Sequence, residues 1–143
     1  MTRRRGLMWT VAGLFALFLA AQFVPVTRTN PPVDSDIPAP ADVKAVLRRA
    51  CYDCHSNETV WPWYSYVAPV SWVVADDVNS GRRHVNFSTW NQVRPDRIPN
   101  EMRSIWRHVD SGEMPLWYYL PMHPSARLSD ADKALLRAWT ESR

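Results

Sequence analysis

The chain has only two cysteines in 143 residues, and both fall in one stretch, Ala50-Cys51-Tyr52-Asp53-Cys54-His55. A disulfide framework is therefore excluded, as is a zinc site built on a second cysteine pair at finger-like spacing. Clean polar–apolar alternation over strand length is also missing. Its absence points to an all-α chain and removes the βαβ setting of a thioredoxin-like redox pair. No internal repeat is visible, and neither sign of charge forms a long run. Arg3, Arg4 and Arg5 account for the whole formal charge of +3, and from residue 6 onward acidic and basic residues balance and intersperse. The pI near 9.1 therefore does not signal nucleic acid as a partner.

What is present begins with those three arginines. An apolar run from Leu7 to Ala21 follows and continues past Gln22 to Val26, reaching the roughly 20 residues that cross a bilayer. A signal peptide shares this layout, but Leu19-Ala20-Ala21 is a weak A-x-A cleavage match. Residues 1–26 are thus expected to be an uncleaved, single-pass anchor in the cytoplasmic membrane, touching lipid through residues 7–26. The arginines would stay in the cytoplasm and the rest of the chain would lie in the periplasm. Residues 27–40, TRTNPPVDSDIPAP, hold Pro31, Pro32, Pro38 and Pro40 and read as a semi-rigid linker. Residues 41–143 remain as one modest domain.

Four helices are expected in that domain. Over 41–50, Val43, Val46, Leu47 and Ala50 share one face. Over about 70–80, Val70, Val73, Val74 and Val78 align, with Gly81 as the C-terminal stop. Over 101–111 the face is Met102, Ile105, Trp106 and Val109, with Asn100 as N-cap and Gly112 as the C′ residue. The last starts at Ser129 with a capping box to Asp132 and an apolar face of Ala131, Ala134, Leu135, Ala138 and Trp139. The loops between are long and rich in proline and aromatic residues. So few apolar helical positions make a poor core alone, and a large planar cofactor at the centre would complete it.

The cysteine motif supports the same idea. A disulfide across two residues would constrain little and would leave His55 without a role. Zinc would need a fourth ligand from His84, His108 or His123, and adjacent Cys54 and His55 are awkwardly placed to chelate one ion. The C-x-x-C-H pattern is accounted for in full by covalent haem c. Cys51 and Cys54 add to the two vinyl groups as thioethers, and His55 turns under the ring as the proximal iron ligand. Haem c is attached on the exported side of the membrane, in agreement with the anchor.

A second axial ligand is expected from a methionine, which raises the potential. Met114 is the leading candidate: it follows the helix stop at Gly112, and Pro115 fixes the backbone beside it. Met122, in Leu-Pro-Met-His-Pro, is its competitor; a histidine or no protein ligand are the remaining options. Met102 belongs to a helix's apolar face and to the core. His84, after a helix end, can satisfy free carbonyls or meet a propionate or a partner. His108 reads as solvated, and His123 as a residue that steadies its loop. Arg82 and Arg83 can pair with propionates, with solvation as the alternative. The seven tryptophans of the exported part are expected to pack mostly on haem or core, their N–H groups bonded.

With these residues in place, the chain resembles the bacterial haem-binding domain proteins of the cytochrome c-like group. The resemblance runs from Gln22-Phe23-Val24-Pro25 and Arg28–Pro32 through ACYDCHSNETVWPWYSYVAPVSW, GRRHVNFSTW and GEMPLWYYLPMHP to ARLS. It implies a membrane-tethered, exported monohaem domain of cytochrome c-like fold, with Cys51, Cys54 and His55 as the attachment triad and Met-Pro at Met114. Many relatives read Met-Pro-Pro there; Leu116 departs from that. The expected role is that of a one-electron carrier, not an enzyme, exchanging electrons with membrane or periplasmic redox proteins. A haem-based sensor with a displaceable distal ligand is an alternative. So is a small peroxidase, in which His84 or Glu113 would have to serve as acid/base.

Overall fold

A computed structural model of the chain describes residues 2–142; residues 1 and 143 lie outside it. Among the described residues the regular structure is helical, with no strand beyond an isolated bridge between Ser35 and Thr89. There are six α-helices: α1 (Thr2–Ala21), α2 (Ala41–Ala50), α3 (Tyr52–His55), α4 (Val70–His84), α5 (Ile98–Asp110) and α6 (Asp130–Glu141). The all-α expectation holds, with the cysteine motif forming the short extra helix α3.

The chain divides into two compact units, and α4 begins in one and ends in the other. The first unit joins the chain up to Arg28 with Trp61–Asp77. Among the described residues, its long helix α1 keeps no side chain of Arg3–Ala21 buried. Of its residues, Arg3–Ala21 are long and apolar enough to cross a membrane. Two polar side chains hold the later segment to the earlier one. The Gln22 amide donates to the Ala68 carbonyl (3.3 Å) and accepts from the Ala68 N–H (3.0 Å). Arg28 donates to the Ser65 carbonyl (3.1 Å), with its guanidinium 4.4 Å from the centre of the Tyr66 ring.

The second unit joins Thr29–Val60 with the chain from Val78 onward. Its core is Val43, Val46 and Leu47 of α2, Tyr52, Phe87 and Trp90, Met102 and Val109 of α5, and Leu136 and Trp139 of α6, with Ile37 added from the segment before α2. That segment is not an open spacer. The Asp34 and Ser35 N–H groups donate to the Ser88 carbonyl, Asn57 donates to the Pro32 carbonyl (2.7 Å), and Ile37 is fully buried. Prolines left few amides to satisfy, and the remaining ones found partners on the domain.

Three helix limits differ from the sequence reading. Helix α4 runs through Gly81 to His84, because Gly81 is buried where a helix backbone crosses another chain segment. Helix α5 starts at Ile98, with Pro99 in its first turn, so Asn100 lies inside the helix and accepts from Arg103 instead of capping. Gly112 does sit at C′, with φ +77°. The capping box of α6 is present, Ser129 and Asp132 each satisfying the other's backbone N–H. The buried face of α6, however, is Leu136, Trp139 and Thr140, while Ala131, Ala134 and Ala138 are exposed. Alanine fits either side of a helix, so the large side chains decide which face turns inward.

Candidate functional site

Helix α2 ends by delivering the motif. Cys51 closes its last turn, donating to the Leu47 carbonyl (2.8 Å), and its own carbonyl accepts from Cys54 (3.2 Å) and His55 (2.9 Å). Cys51, Cys54 and His55 therefore share one face of a single turn, at i, i+3 and i+4. Cys51 and Cys54 are not joined in a disulfide. Burial pushes the Cys51 thiol up to about 12, against the pull of Arg49.

His55 is held from behind by α4. Its Nδ1 lies 3.1 Å from the Gly81 carbonyl and 3.2 Å from the Val85 carbonyl. Carbonyls only accept, so Nδ1 carries the proton and Nε2 keeps its lone pair. Burial lowers the His55 pKa more than these carbonyls raise it, which keeps the ring neutral. The close approach depends on Gly81. A Cβ there would stand 2.5 Å from the Cys54 carbonyl oxygen and 3.2 Å from the Cys54 Cβ. Behind the motif, Phe87 donates its N–H to the His55 carbonyl (2.8 Å) and places its ring 6.0 Å from the imidazole.

The Ser56–Thr59 turn is a buried polar cluster. Ser56 donates to the Tyr52 carbonyl, Thr59 to the Asp53 carbonyl, and Asn57 receives a bond from Asn86. Arg82 closes this turn, donating to the Ser56 carbonyl, Thr59 Oγ1, the Thr29 carbonyl and Asn30 Oδ1 at 2.8–3.1 Å. Its guanidinium is thus a brace within the fold, not a group kept free for a propionate.

Met114 follows α5 half-buried, its N–H donating to the His108 carbonyl (3.0 Å). Met102 is buried in the core, and Met122 is 56% exposed. The loop that carries Met114 and Met122 is tied to the cysteine turn: Tyr119 donates to Asp53 Oδ2 (2.8 Å), and His123 stacks on Tyr119 at 3.9 Å. This Tyr119–Asp53 link and the role of Gly81 were not read from the sequence. Gly81 had a local signal, since the helical pattern continues through Arg82 and Arg83; a link across 66 positions had none.

His84 and His108 stand in the last turns of α4 and α5. His84 is exposed and bonds the Ser80 carbonyl (2.9 Å), as a residue in a last helical turn can. His108 is half-buried, with Nδ1 on the Ser104 carbonyl and Nε2 3.5 Å from Glu113. Of the seven tryptophans beyond α1, Trp90 and Trp139 are buried in the core and Trp106 packs against it, Trp61 is half-buried, and Trp63, Trp72 and Trp117 are exposed. The Trp139 N–H is buried without an acceptor.

The donor set fits haem. Two cysteines one turn apart, not joined in a disulfide, stand beside a neutral imidazole whose Nδ1 is engaged and whose Nε2 keeps its lone pair. Among the described residues no three His, Cys, Asp or Glu converge as a metal cage, which the zinc reading would need. No curated protein and no solved structure matches the chain. The model of the haem-binding domain family matches residues 16–142, nearly the whole chain, and the protein belongs to that family.

Proposed function

We propose that the protein is a membrane-tethered c-type cytochrome, carrying one haem and passing single electrons in the periplasm. One observation carries this reading: a single turn presents two cysteines not joined in a disulfide and an imidazole whose Nδ1–H is already engaged by the Gly81 and Val85 carbonyls. Cys51 and Cys54 would hold the haem through thioethers, and His55 would ligate its iron through Nε2. The haem would supply a reversible Fe(III)/Fe(II) couple.

The chain's own residues do the remaining work. The Gly81 carbonyl of α4 and the Val85 carbonyl just after it fix the imidazole's orientation and tautomer and raise its basicity as a ligand. Phe87 and Tyr52 shield the motif's inner side, their rings 5.4 Å apart. Met114 would supply a second protein ligand to the iron, its backbone fixed to α5 through the His108 carbonyl. Helix α1 is proposed as the tether, with Arg3–Arg5 in the cytoplasm and membrane or periplasmic redox proteins as partners.

The attachment is tested by replacing Cys51 and Cys54 with Ala. Wild-type chain should keep its haem on a denaturing gel, and the double variant should lose it; haem retained by the variant would refute the attachment. Difference spectra with carbon monoxide test the carrier role, since ready binding would favour a sensor or peroxidase.

A further inference from the structure

The segment from Trp61 to Val73 wears its apolar side chains on the outside. Trp63, Tyr66, Val70, Trp72 and Val73 are exposed, Trp63 by 72%. The inward positions are small: Ser65, Ala68, Ser71 and Ala75 are buried. Over the first two turns of α4 this inverts the pattern of a helix facing water, where polar residues lie outside. The apolar face ends at exposed Asp76, one turn beyond Trp72. Two tryptophans, a tyrosine and two valines in one exposed segment call for a cover.

Contacts within the same unit place this face. Gln22 interrupts an otherwise apolar run just after α1, and its amide is spent on the Phe18 carbonyl (2.8 Å) and on both polar groups of the Ala68 peptide. Ala68 is thereby held at the last turn of α1. Arg28 fixes Ser65 and covers one face of Tyr66. The apolar face of 61–73 is therefore continuous with the exposed apolar surface of α1 at its C-terminal end. Tryptophan and tyrosine settle at that depth of a bilayer, ring toward the acyl chains and N–H or O–H among headgroups.

We propose that residues 61–73 dock in the headgroup region of the leaflet from which α1 emerges, so that the protein grips the lipid surface at a second place. This rests on α1 spanning the bilayer. The full-length, haem-loaded protein is placed in phosphatidylcholine vesicles in which some lipids carry a diazirine on an upper acyl carbon. After photolysis, adducts are located by peptide mass spectrometry. Adducts are expected on α1 and on Trp63, Tyr66 and Trp72, several-fold above those on Trp117, an equally bare indole of the other unit. Adducts on α1 without any on 63–73 would overturn the docking while leaving the anchor standing, and would leave that face to a protein partner. Labelling of Trp117 as strong as that of Trp63 would also overturn it, as collision rather than docking. Adducts on neither segment would overturn docking and anchor together.

Discussion

Gly81 shows how a missing side chain positions a ligand. Its hydrogen lets α4 approach the Cys54 carbonyl closely enough for the Gly81 and Val85 carbonyls to reach His55 Nδ1. In Gly81→Ala the new methyl would have to push α4 or the motif aside, at an expected cost of about 2–3 kcal/mol, the range of overpacked cores. Gly112→Ala meets no neighbour and strains only its positive φ, so about 1 kcal/mol is expected there. Denaturant unfolding of the two variants checks the order, and equal losses would refute the crowding argument. The methionines separate at the same scale. Met114→Ala should leave haem attached and remove the Met–iron charge-transfer band, whereas Met122→Ala, at an exposed side chain, should leave the band unchanged.

At the scale of elements, α6 depends on its first turn. Asp132 pairs with Arg49 of α2 and accepts from the Ser129 side chain and backbone, which together, Arg49 foremost, hold its carboxyl down at about 2. A depressed carboxylate stabilises the fold above its ordinary value of 3.8 and loses that contribution as pH falls toward 2. The pair lies at the surface, with water beside both side chains, so after screening the expected contribution at neutral pH is about 1 kcal/mol, the size of a capping interaction. Wild type should exceed Asp132→Asn by that amount in denaturant unfolding at pH 7, and the gap should close between pH 4 and 2. A gap that stays constant with pH would exclude the carboxylate as its source.

At the scale of the whole molecule, Arg82 joins pieces of chain that lie far apart in sequence. One guanidinium reaches residues 29–30, 56 and 59, so the proline-rich entry segment, the turn after the motif and the end of α4 share a single charged brace. Hydrogen bonds to a charged group contribute about 1.5–3 kcal/mol. Arg82→Ala is expected to lose about 3 kcal/mol in chemical denaturation, and Arg82→Lys to recover less than half, because an ammonium cannot reproduce the planar fork. Full recovery by lysine would mean that charge alone matters.

What the amino-acid sequence determined by itself was whatever depends on near neighbours along the chain. The α2 face, the Ser129–Asp132 cap, the Gly112 terminus, the apolar run of α1 and the Cys51–Cys54–His55 spacing are all settled within about one turn of helix or by composition. Only the tertiary structure decided what depends on distant segments meeting. It turned Gly81 from a helix stop into a contact point, Arg82 from a surface cation into a brace, and residues 29–39 from a spacer into part of the core's cover. It also left Trp63, Tyr66, Val70, Trp72 and Val73 exposed in one segment that Gln22 ties to the end of α1. Burial and hydrogen-bond satisfaction are properties of the assembled surface, and no local pattern encodes which face will find a partner.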